Sequence, residues 1–236
     1  MKREKFSTKV LAEVAIFAAL AFALDALQGG IWRGVFFNGG SIGFAMVPIF
    51  IIGYRRGLLP GILCGLIVSL VQMLGGIYVI NASSFENSFM RIMGPFIQIM
   101  LDYVLAYTVV GLSGVFARMY ANGKSMKSKI LWIIVGTACG SLLKYACHVV
   151  AGGVFWLSAS VEDAASFMGV KSISWGYSFL YNGAYCIPNM LICSATMVVI
   201  ARFYGQFLVP STKANKEEAI DAVVQEVETH EEVEEK

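Results

Sequence analysis

The chain is poor in charge and in the residues that usually carry out chemistry. Only 14% of its 236 residues are charged, against about 25% in a typical soluble protein, so a soluble globular domain is excluded. The two histidines are far apart, and the five cysteines lie in apolar runs without the paired spacing of a metal site. For the same reason we expect no bound metal, and we expect no cofactor. The basic residues form no pattern typical of nucleic-acid binding, so we expect no nucleic-acid partner.

Acidic residues are scarcest where the chain is most apolar. Of the 16 aspartates and glutamates, nine lie between Glu217 and Glu235. Residues 1–209 are therefore predicted to form one membrane domain, and residues 210–236 an acidic, disordered cytoplasmic tail. The length leaves no room for two large folded domains.

Apolar side chains make up 57% of the chain and occur in long runs. A helix needs about 20 apolar residues to cross a bilayer, so these runs predict an all-α membrane protein with six transmembrane helices. Their predicted bounds are Val10–Leu27, Ser41–Tyr54, Leu58–Gly75, Gly94–Arg118, Ile130–Leu157 and Ser174–Phe207.

The basic residues predict the orientation of these helices. Of the 18 lysines and arginines, fourteen fall on one side of the predicted topology and three on the other, with Lys144 inside a span. By the positive-inside rule both the N-terminus and the C-terminus are cytoplasmic. We expect a multi-pass protein of a prokaryotic cell membrane.

Polar residues of several predicted helices reach a similar depth. Counted at 1.5 Å per residue from the basic residues at the cytoplasmic ends, Asp102 lies ~24 Å above the inner boundary, His148 ~28 Å and Asn182 ~30 Å. Tyr78 and Tyr177 fall near the outer interface. The sequence therefore predicts a shared layer in the outer leaflet that opens to the outside.

The fifth predicted helix repeats functional residue types at every fourth position. Lys144, His148, Gly152 and Trp156 lie on one face because steps of four nearly complete a helical turn. The glycine leaves room for a flat molecule, although glycine is equally common at contacts between membrane helices.

Together these residues favour a site for a small, flat cation. Aromatic faces attract cations, Asp102 would neutralise the charge, and Asn182 and His148 would form hydrogen bonds with ring nitrogens. A structural ion pair between Asp102 and Lys144 is the alternative, and Asp25 is interpreted as structural or as a partner of the first outer loop. The candidate site residues are Tyr78, Asp102, Tyr103, His148, Gly152, Trp156, Tyr177 and Asn182.

Two short motifs resemble those of enzymes, but their context argues against both. Gly111–Gly114 matches the GxSG of intramembrane serine proteases, yet Ser113 is predicted ~20 Å from the level of His148, whereas a nucleophile and its base meet within ~3 Å. Asn122–Ser125 ends like a nucleotide-binding loop, but the first glycine of that motif is missing and a helix precedes it. We therefore predict that the chain is not an enzyme and has no ATPase site of its own.

Two longer segments carry a resemblance to a known family. Leu143–Trp156 and Gly176–Gly183, supported by Leu101–Tyr103, resemble the thiamine-specific S component of the energy-coupling factor (ECF) vitamin transporters. The resemblance implies the S-component fold, uptake of thiamine, and a thiamine pocket formed by the eight candidate residues, with Asp102 facing the thiazolium ring. It leaves the contribution of the first outer loop open, with Trp32 as a candidate.

The resemblance also implies partners. An S component works with a membrane coupling subunit and two cytoplasmic ATPases, which energise transport. In the family, small residues on the first helix contact the coupling subunit, which implies that role for Ala15 and Ala19. Packing of these alanines within the chain is the alternative.

Three other functions remain open at this point. The chain could serve as the S component for another flat vitamin, such as riboflavin, or for a pyrimidine precursor. It could be a stand-alone proton-coupled carrier that uses Asp102. The intramembrane protease with Ser113 is the least favoured of the three.

Overall fold

The computed structural model describes residues 7–32, 34–36, 39–85, 87–156, 166–167, 170–171 and 175–209. The predicted acidic tail, residues 210–236, lies outside the described part of the chain.

The described chain is helical apart from one two-residue antiparallel strand pair. The helices are α1 (Thr8–Trp32), α2 (Val47–Arg56), α3 (Leu58–Leu74), α4 (Ser88–Ile99), α5 (Ala106–Thr108), α6 (Ala117–Ala121), α7 (Met126–Ala151) and α8 (Trp175–Phe203). Short 3-10 helices span Ala82–Ser84, Val109–Phe116 and Gly205–Leu208, and π-helical turns span Met100–Leu105 and Gly152–Trp156. The strands are β1 (Ser166–Phe167) and β2 (Val170–Lys171).

Within the described residues, four helical stretches are long and apolar enough to cross a membrane. They are Thr8–Trp32, Ser88–Ala121, Met126–Phe155 and Trp175–Phe203. The helix α3 is apolar but only 17 residues long, and α2 has 10 residues. The prediction of a helical membrane protein is confirmed.

The second predicted span begins later in the structure than the sequence predicts. It was expected over Ser41–Tyr54, but α2 begins only at Val47. Gly39 and Gly40 take positive φ angles, which break a helix. Pro48 lies in the first turn of α2, where its missing N–H costs no helical hydrogen bond. Residues 41–46 form a loop, because side chains of neighbouring helices, Gln28 and Asn189, form hydrogen bonds with its backbone groups.

An ion-pair cluster ties together the helix ends that the sequence predicts to be cytoplasmic. Arg56 holds both carboxylate oxygens of Glu13 at 2.7 Å, and Arg55 donates to the same carboxylate at 3.0 Å. Arg55 also donates to the carbonyls of Phe207 and Val209. Two-point guanidinium–carboxylate contacts are among the stronger charged hydrogen bonds, so they fix α1 against α2. The bonds of Arg55 to Phe207 and Val209 attach this pair to the segment that follows α8.

Close backbone packing joins α3 to the 3-10 helix Val109–Phe116. A Cβ atom built on Gly111 would lie 2.3 Å from the carbonyl carbon of Gly61, and one on Gly61 would lie 2.7 Å from the carbonyl oxygen of Gly111. Small residues allow membrane helices to approach in this way. The small residues of the GxSG motif therefore serve to pack this helix against its neighbour.

We expect Gly111→Ala to destabilise the protein, because the added methyl group would meet backbone atoms that cannot rotate away. Overpacking of this kind costs about 1–3 kcal/mol. Thermal unfolding of the purified protein in detergent measures the loss.

The matched control is Gly30→Ala in α1, where a Cβ atom meets nothing within 4 Å. It should leave stability unchanged or raise it by up to about 1 kcal/mol, because alanine favours the helix. Equal melting temperatures for Gly111→Ala and wild type would contradict the packing account.

Candidate functional site

A polar cavity of about 470 Å³ opens between α1, α3, the helical stretch Ser88–Ala121, α7, α8 and the first loop, which joins α1 to α2. This volume lies within the range of about 300–1,000 Å³ that is usual for small-molecule pockets. On α1 the cavity begins near Asp25, about 18 Å along the helix from the ion pair of Glu13. The cavity and the ion-pair cluster therefore occupy opposite ends of the bundle.

The cavity gathers most of the predicted site residues. Its lining includes Asp102, Tyr103, His148, Gly152, Tyr177 and Asn182. Residues from three separate helical stretches meet there, as the comparison of helix depths predicts.

The two remaining candidates lie differently. Tyr78 is 63% exposed and is not among the described lining residues. Its backbone N–H donates to the hydroxyl of Tyr103 at 2.8 Å, so it lies next to the cavity wall. Trp156 ends the second π-helical turn, and its side chain lies outside what the structure describes.

Both π-helical turns coincide with site residues. The first, Met100–Leu105, contains Asp102 and Tyr103, and the second begins at Gly152. A π turn adds a residue to the helical repeat and is frequent at functional sites. Sequence periodicity assumes a regular helix, so it gave no sign of these turns.

The side chains of Asp102 and His148 lie next to each other in the cavity wall. The Nδ1 atom of His148 lies 3.5 Å from the Oδ1 atom of Asp102. The pair combines a carboxylate with an imidazole on neighbouring helical segments, which suits a ligand that carries both positive charge and hydrogen-bonding nitrogens.

Asn182 is held by several hydrogen bonds. Its Nδ2 donates to the carbonyls of Ser178 at 2.9 Å and His148 at 3.3 Å, and its Oδ1 accepts from the Tyr185 hydroxyl at 2.5 Å. These bonds fix the amide, and Oδ1 keeps a second lone pair for a donor in the cavity.

Gly152 makes room for side chains of α8. A Cβ atom there would lie 2.3 Å from the hydroxyl of Ser178 and 3.2 Å from Nδ2 of Asn182. The predicted space beside this glycine is therefore partly filled by the side chains that position the amide.

One wall is aromatic: the predicted Tyr177 lies there with three aromatic residues that were not predicted, Phe36, Tyr181 and Tyr185. Tyr177 and Tyr181 stack with ring centroids 5.6 Å apart, and Phe36 packs edge-on against Tyr181 and Tyr185. The spacing of four between these tyrosines was a usable signal. Phe36 comes from the first loop, whose position depends on tertiary contacts.

Trp32 ends α1 and belongs to the rim of this wall. Its indole N–H donates to the carbonyl of Ile42 at 2.8 Å, and its ring lies 5.8 Å from that of Phe36. Trp32 thus helps hold the first loop.

Charged and polar residues form a second wall of the cavity. The Asp25 carboxylate accepts hydrogen bonds from the hydroxyl of Tyr107, from Gln72 at 2.7 Å and from Gln28 at 3.4 Å. The ammonium group of Lys144 lies 3.4 Å from the centroid of the Tyr107 ring. Lys144 therefore contacts Tyr107, whereas the alternative prediction was an ion pair between Lys144 and Asp102.

The first loop is fastened over the cavity by two amide side chains. Asn189 of α8 accepts from the N–H of Gly43 and donates to the carbonyl of Ser41, both at 2.7 Å. Gln28 of α1 donates to the Ser41 hydroxyl at 2.8 Å and accepts from the N–H of Ala45. Asp25 reaches this loop through Gln28.

Gly40 allows the loop to pass close to the aromatic wall. Its φ angle is +116°, and a Cβ atom would lie 2.6 Å from the ring of Tyr185. Only glycine fits this turn without displacing the tyrosine.

Two other predictions can be located. Ser113 is fully buried, and a Cβ atom built on Gly53 would lie 3.3 Å from its Oγ. Ser113 therefore packs between helices, in keeping with the prediction that it is not a protease nucleophile. Ala15 and Ala19 are exposed, while the face of α1 that packs inside the chain contains Val14, Ala18 and Ala21.

A helical membrane protein with an aromatic, charged cavity of this size belongs to the class that binds a small ligand. The chain belongs to the thiamine transporter protein family (Thia_YuaJ), which matches residues 11–209.

Individual relatives agree with this assignment. The chain is 34% identical over 193 residues to the thiamine transporter ThiT of Bacillus subtilis (strain 168), covering 80% of this chain and 88% of the relative. It is 26% identical over 198 residues to ThiT of Lacticaseibacillus paracasei, covering 81% and 84%. The solved structure of ThiT from Listeria monocytogenes is similar with a TM-score of 0.61 and 25% identity, over 85% of this chain and 97% of that one.

We expect Asn189→Ala to loosen the first loop, because the backbone groups of Ser41 and Gly43 would both lose their partners. Each neutral hydrogen bond contributes about 1 kcal/mol, so hydrogen exchange at residues 41–45 should accelerate by about tenfold or more. Hydrogen–deuterium exchange followed by mass spectrometry measures this.

Thr196→Val is the control, since the Thr196 hydroxyl bonds only to the Ile192 carbonyl on the same helix among the described contacts. An equal exchange rate in the loop for both variants would show that Asn189 does not hold it.

Proposed function

We propose that the chain is the substrate-binding S component of an ECF-type transporter and that it binds thiamine for uptake. The observation that carries the proposal is the single cavity that brings the carboxylate of Asp102 together with His148, Asn182 and tyrosine rings. The membership of the chain in the thiamine transporter family supports the same ligand.

Thiamine has the chemistry that this cavity suits. Its thiazolium ring carries a permanent positive charge, which a buried carboxylate and aromatic faces both favour. Its aminopyrimidine ring is flat and offers both donors and acceptors. In this proposal Asp102 faces the thiazolium, Asn182 and His148 bind the pyrimidine, and Tyr103, Tyr177 and Gly152 shape the space around the rings.

Tyr78 and Trp156 complete the proposed site at its outer edge. The bonds between Tyr103 and the backbone of Tyr78 keep this residue within reach of a ligand that fills the cavity mouth. A tryptophan ring at position 156 would stack on the ligand, as expected from the helical spacing with Gly152.

The proposed topology has six membrane crossings with both termini in the cytoplasm. The helix α3 supplies one shorter crossing, and α2 supplies the other together with the loop residues that precede it, since its 10 residues span only about 15 Å. The arginine cluster at the end of α2 lies on the cytoplasmic side, in keeping with the positive-inside rule. The acidic segment 210–236 then forms a cytoplasmic tail separate from the membrane domain.

Uptake is proposed to require a membrane coupling subunit and two ATPases, which supply the energy. Ala15 and Ala19 are proposed to contact the coupling subunit. Their exposure on α1 supports this role, because small residues on an outward face allow another helix to approach closely.

The first test is a titration of the purified protein with thiamine by calorimetry. We expect binding by wild type and a loss of about tenfold or more for Asp102→Asn, because a buried cation would lose its opposing charge. Riboflavin and the isolated aminopyrimidine serve as competitors, and tight binding of either without thiamine binding would favour the alternative vitamin.

Ser113→Ala is the matched control for the titration, because Ser113 is buried away from the cavity. It should bind thiamine like wild type. Loss of thiamine binding in Ser113→Ala, with wild-type binding in Asp102→Asn, would contradict the proposed site.

A second test concerns the partners. Ala19→Trp should leave thiamine affinity unchanged but reduce co-purification with the coupling subunit and thiamine uptake by severalfold, since the indole would block close approach. Leu191→Trp, on an exposed part of α8, is the control and should retain both. Uptake that persists in cells without the ATPases would support the stand-alone proton-coupled carrier.

A further inference from the structure

Three charged side chains line the described cavity together with the imidazole of His148. They are Asp25, Asp102 and Lys144. Counting the imidazole as neutral, two acids and one base leave the cavity with one net negative charge. A ligand with one positive charge would bring this count to zero.

Lys144 is well placed to oppose a cationic ligand. It is only 8% exposed, lines the cavity, and is the only lysine or arginine among the described lining residues. An ammonium group in a cavity of low dielectric repels another cation unless a nearby anion balances it.

Asp25 supplies that balance through Tyr107. The face of the Tyr107 ring lies against the Lys144 ammonium, and its hydroxyl donates to the Asp25 carboxylate. The Asp25 carboxylate also interacts electrostatically with the ammonium. One aromatic side chain therefore links the two opposite charges.

The other partners of Asp25 do not cancel its charge. Gln28, Gln72 and Tyr107 are neutral donors. They hold the carboxylate in the cavity wall and leave its negative charge to act on Lys144.

We infer that Asp25 is a positioning residue for ligand charge: it is the counter-ion of Lys144, and by neutralising this lysine it makes the cavity prefer a cation. This inference rests on the proposed binding of thiamine. It gives Asp25 a role that differs from that of Asp102, because Asp25 acts through Lys144 and not by contact with the thiazolium.

The experiment compares two ligands that differ only in charge. Thiamine is titrated beside its thiophene analogue, in which carbon replaces the thiazolium nitrogen and the ring is neutral. The readout is the ratio of the two dissociation constants for the purified full-length protein. A purely structural role of Asp25 would change both constants together and leave the ratio unaltered.

We expect Asp25→Asn to shift the ratio against thiamine by about tenfold or more, because an unbalanced ammonium then faces the cationic ring. Binding of the neutral analogue should change by less than about threefold. Adding Lys144→Met to Asp25→Asn should restore the preference for thiamine, since the cavity regains its net negative charge.

Two variants separate charge from structure. Asp25→Glu keeps the charge and should keep the ratio near that of wild type. Tyr107→Phe removes the hydrogen bond to Asp25 but keeps the ring and both charges, so it should lower thermal stability while leaving the ratio within about threefold.

Lys144→Met alone tests the inference even where Asp25→Asn fails to fold. It removes the opposing cation, so the ratio should shift further toward thiamine, whatever contacts both ligands lose. An unchanged ratio in Asp25→Asn, or a shift away from thiamine in Lys144→Met, would overturn the inference. Failure of wild type to bind thiamine would instead contradict the proposed function.

Discussion

The structure depends on the burial of charge inside an apolar bundle. An ionisable side chain in a membrane span is costly unless it has partners, and the described chain places Asp25, Asp102 and Lys144 around one cavity. Each has partners there: Asp102 faces His148, and Tyr107 connects Lys144 to Asp25. Each of these charged groups thus has a partner within the protein, and together they line the space where a ligand would lie.

The non-helical backbone of the first loop is subject to the same cost of burying polar groups. Non-helical backbone is tolerated at membrane depth only where it is enclosed by protein or lines a cavity. Ser41 and Gly43 of the first loop do line it, and Gln28 and Asn189 satisfy the loop's backbone groups. At the other end of the bundle the helices are joined by the arginine cluster of α2.

Much of this arrangement could be predicted from the sequence, because helix depth is a simple count. That count brought Asp102, His148 and Asn182 to one level, and all three line the cavity. The start of α2 and the place of Phe36 could not be predicted, since both depend on a loop held by distant residues. The π-helical turn at Asp102 has no periodic signature either. The spacing of Tyr181 from Tyr177 was visible in the sequence, and it would have extended the aromatic wall.

The proposed function depends on a cationic ring bound beside a buried carboxylate. An experimentally determined structure of the full chain with thiamine tests this most directly. We expect the thiazolium ring to lie inside the cavity, with its charge within about 6 Å of the Asp102 carboxylate. This is the range in which an opposite charge acts strongly. Thiamine bound elsewhere on the protein, or in the cavity with the thiazolium turned away from Asp102, would contradict it.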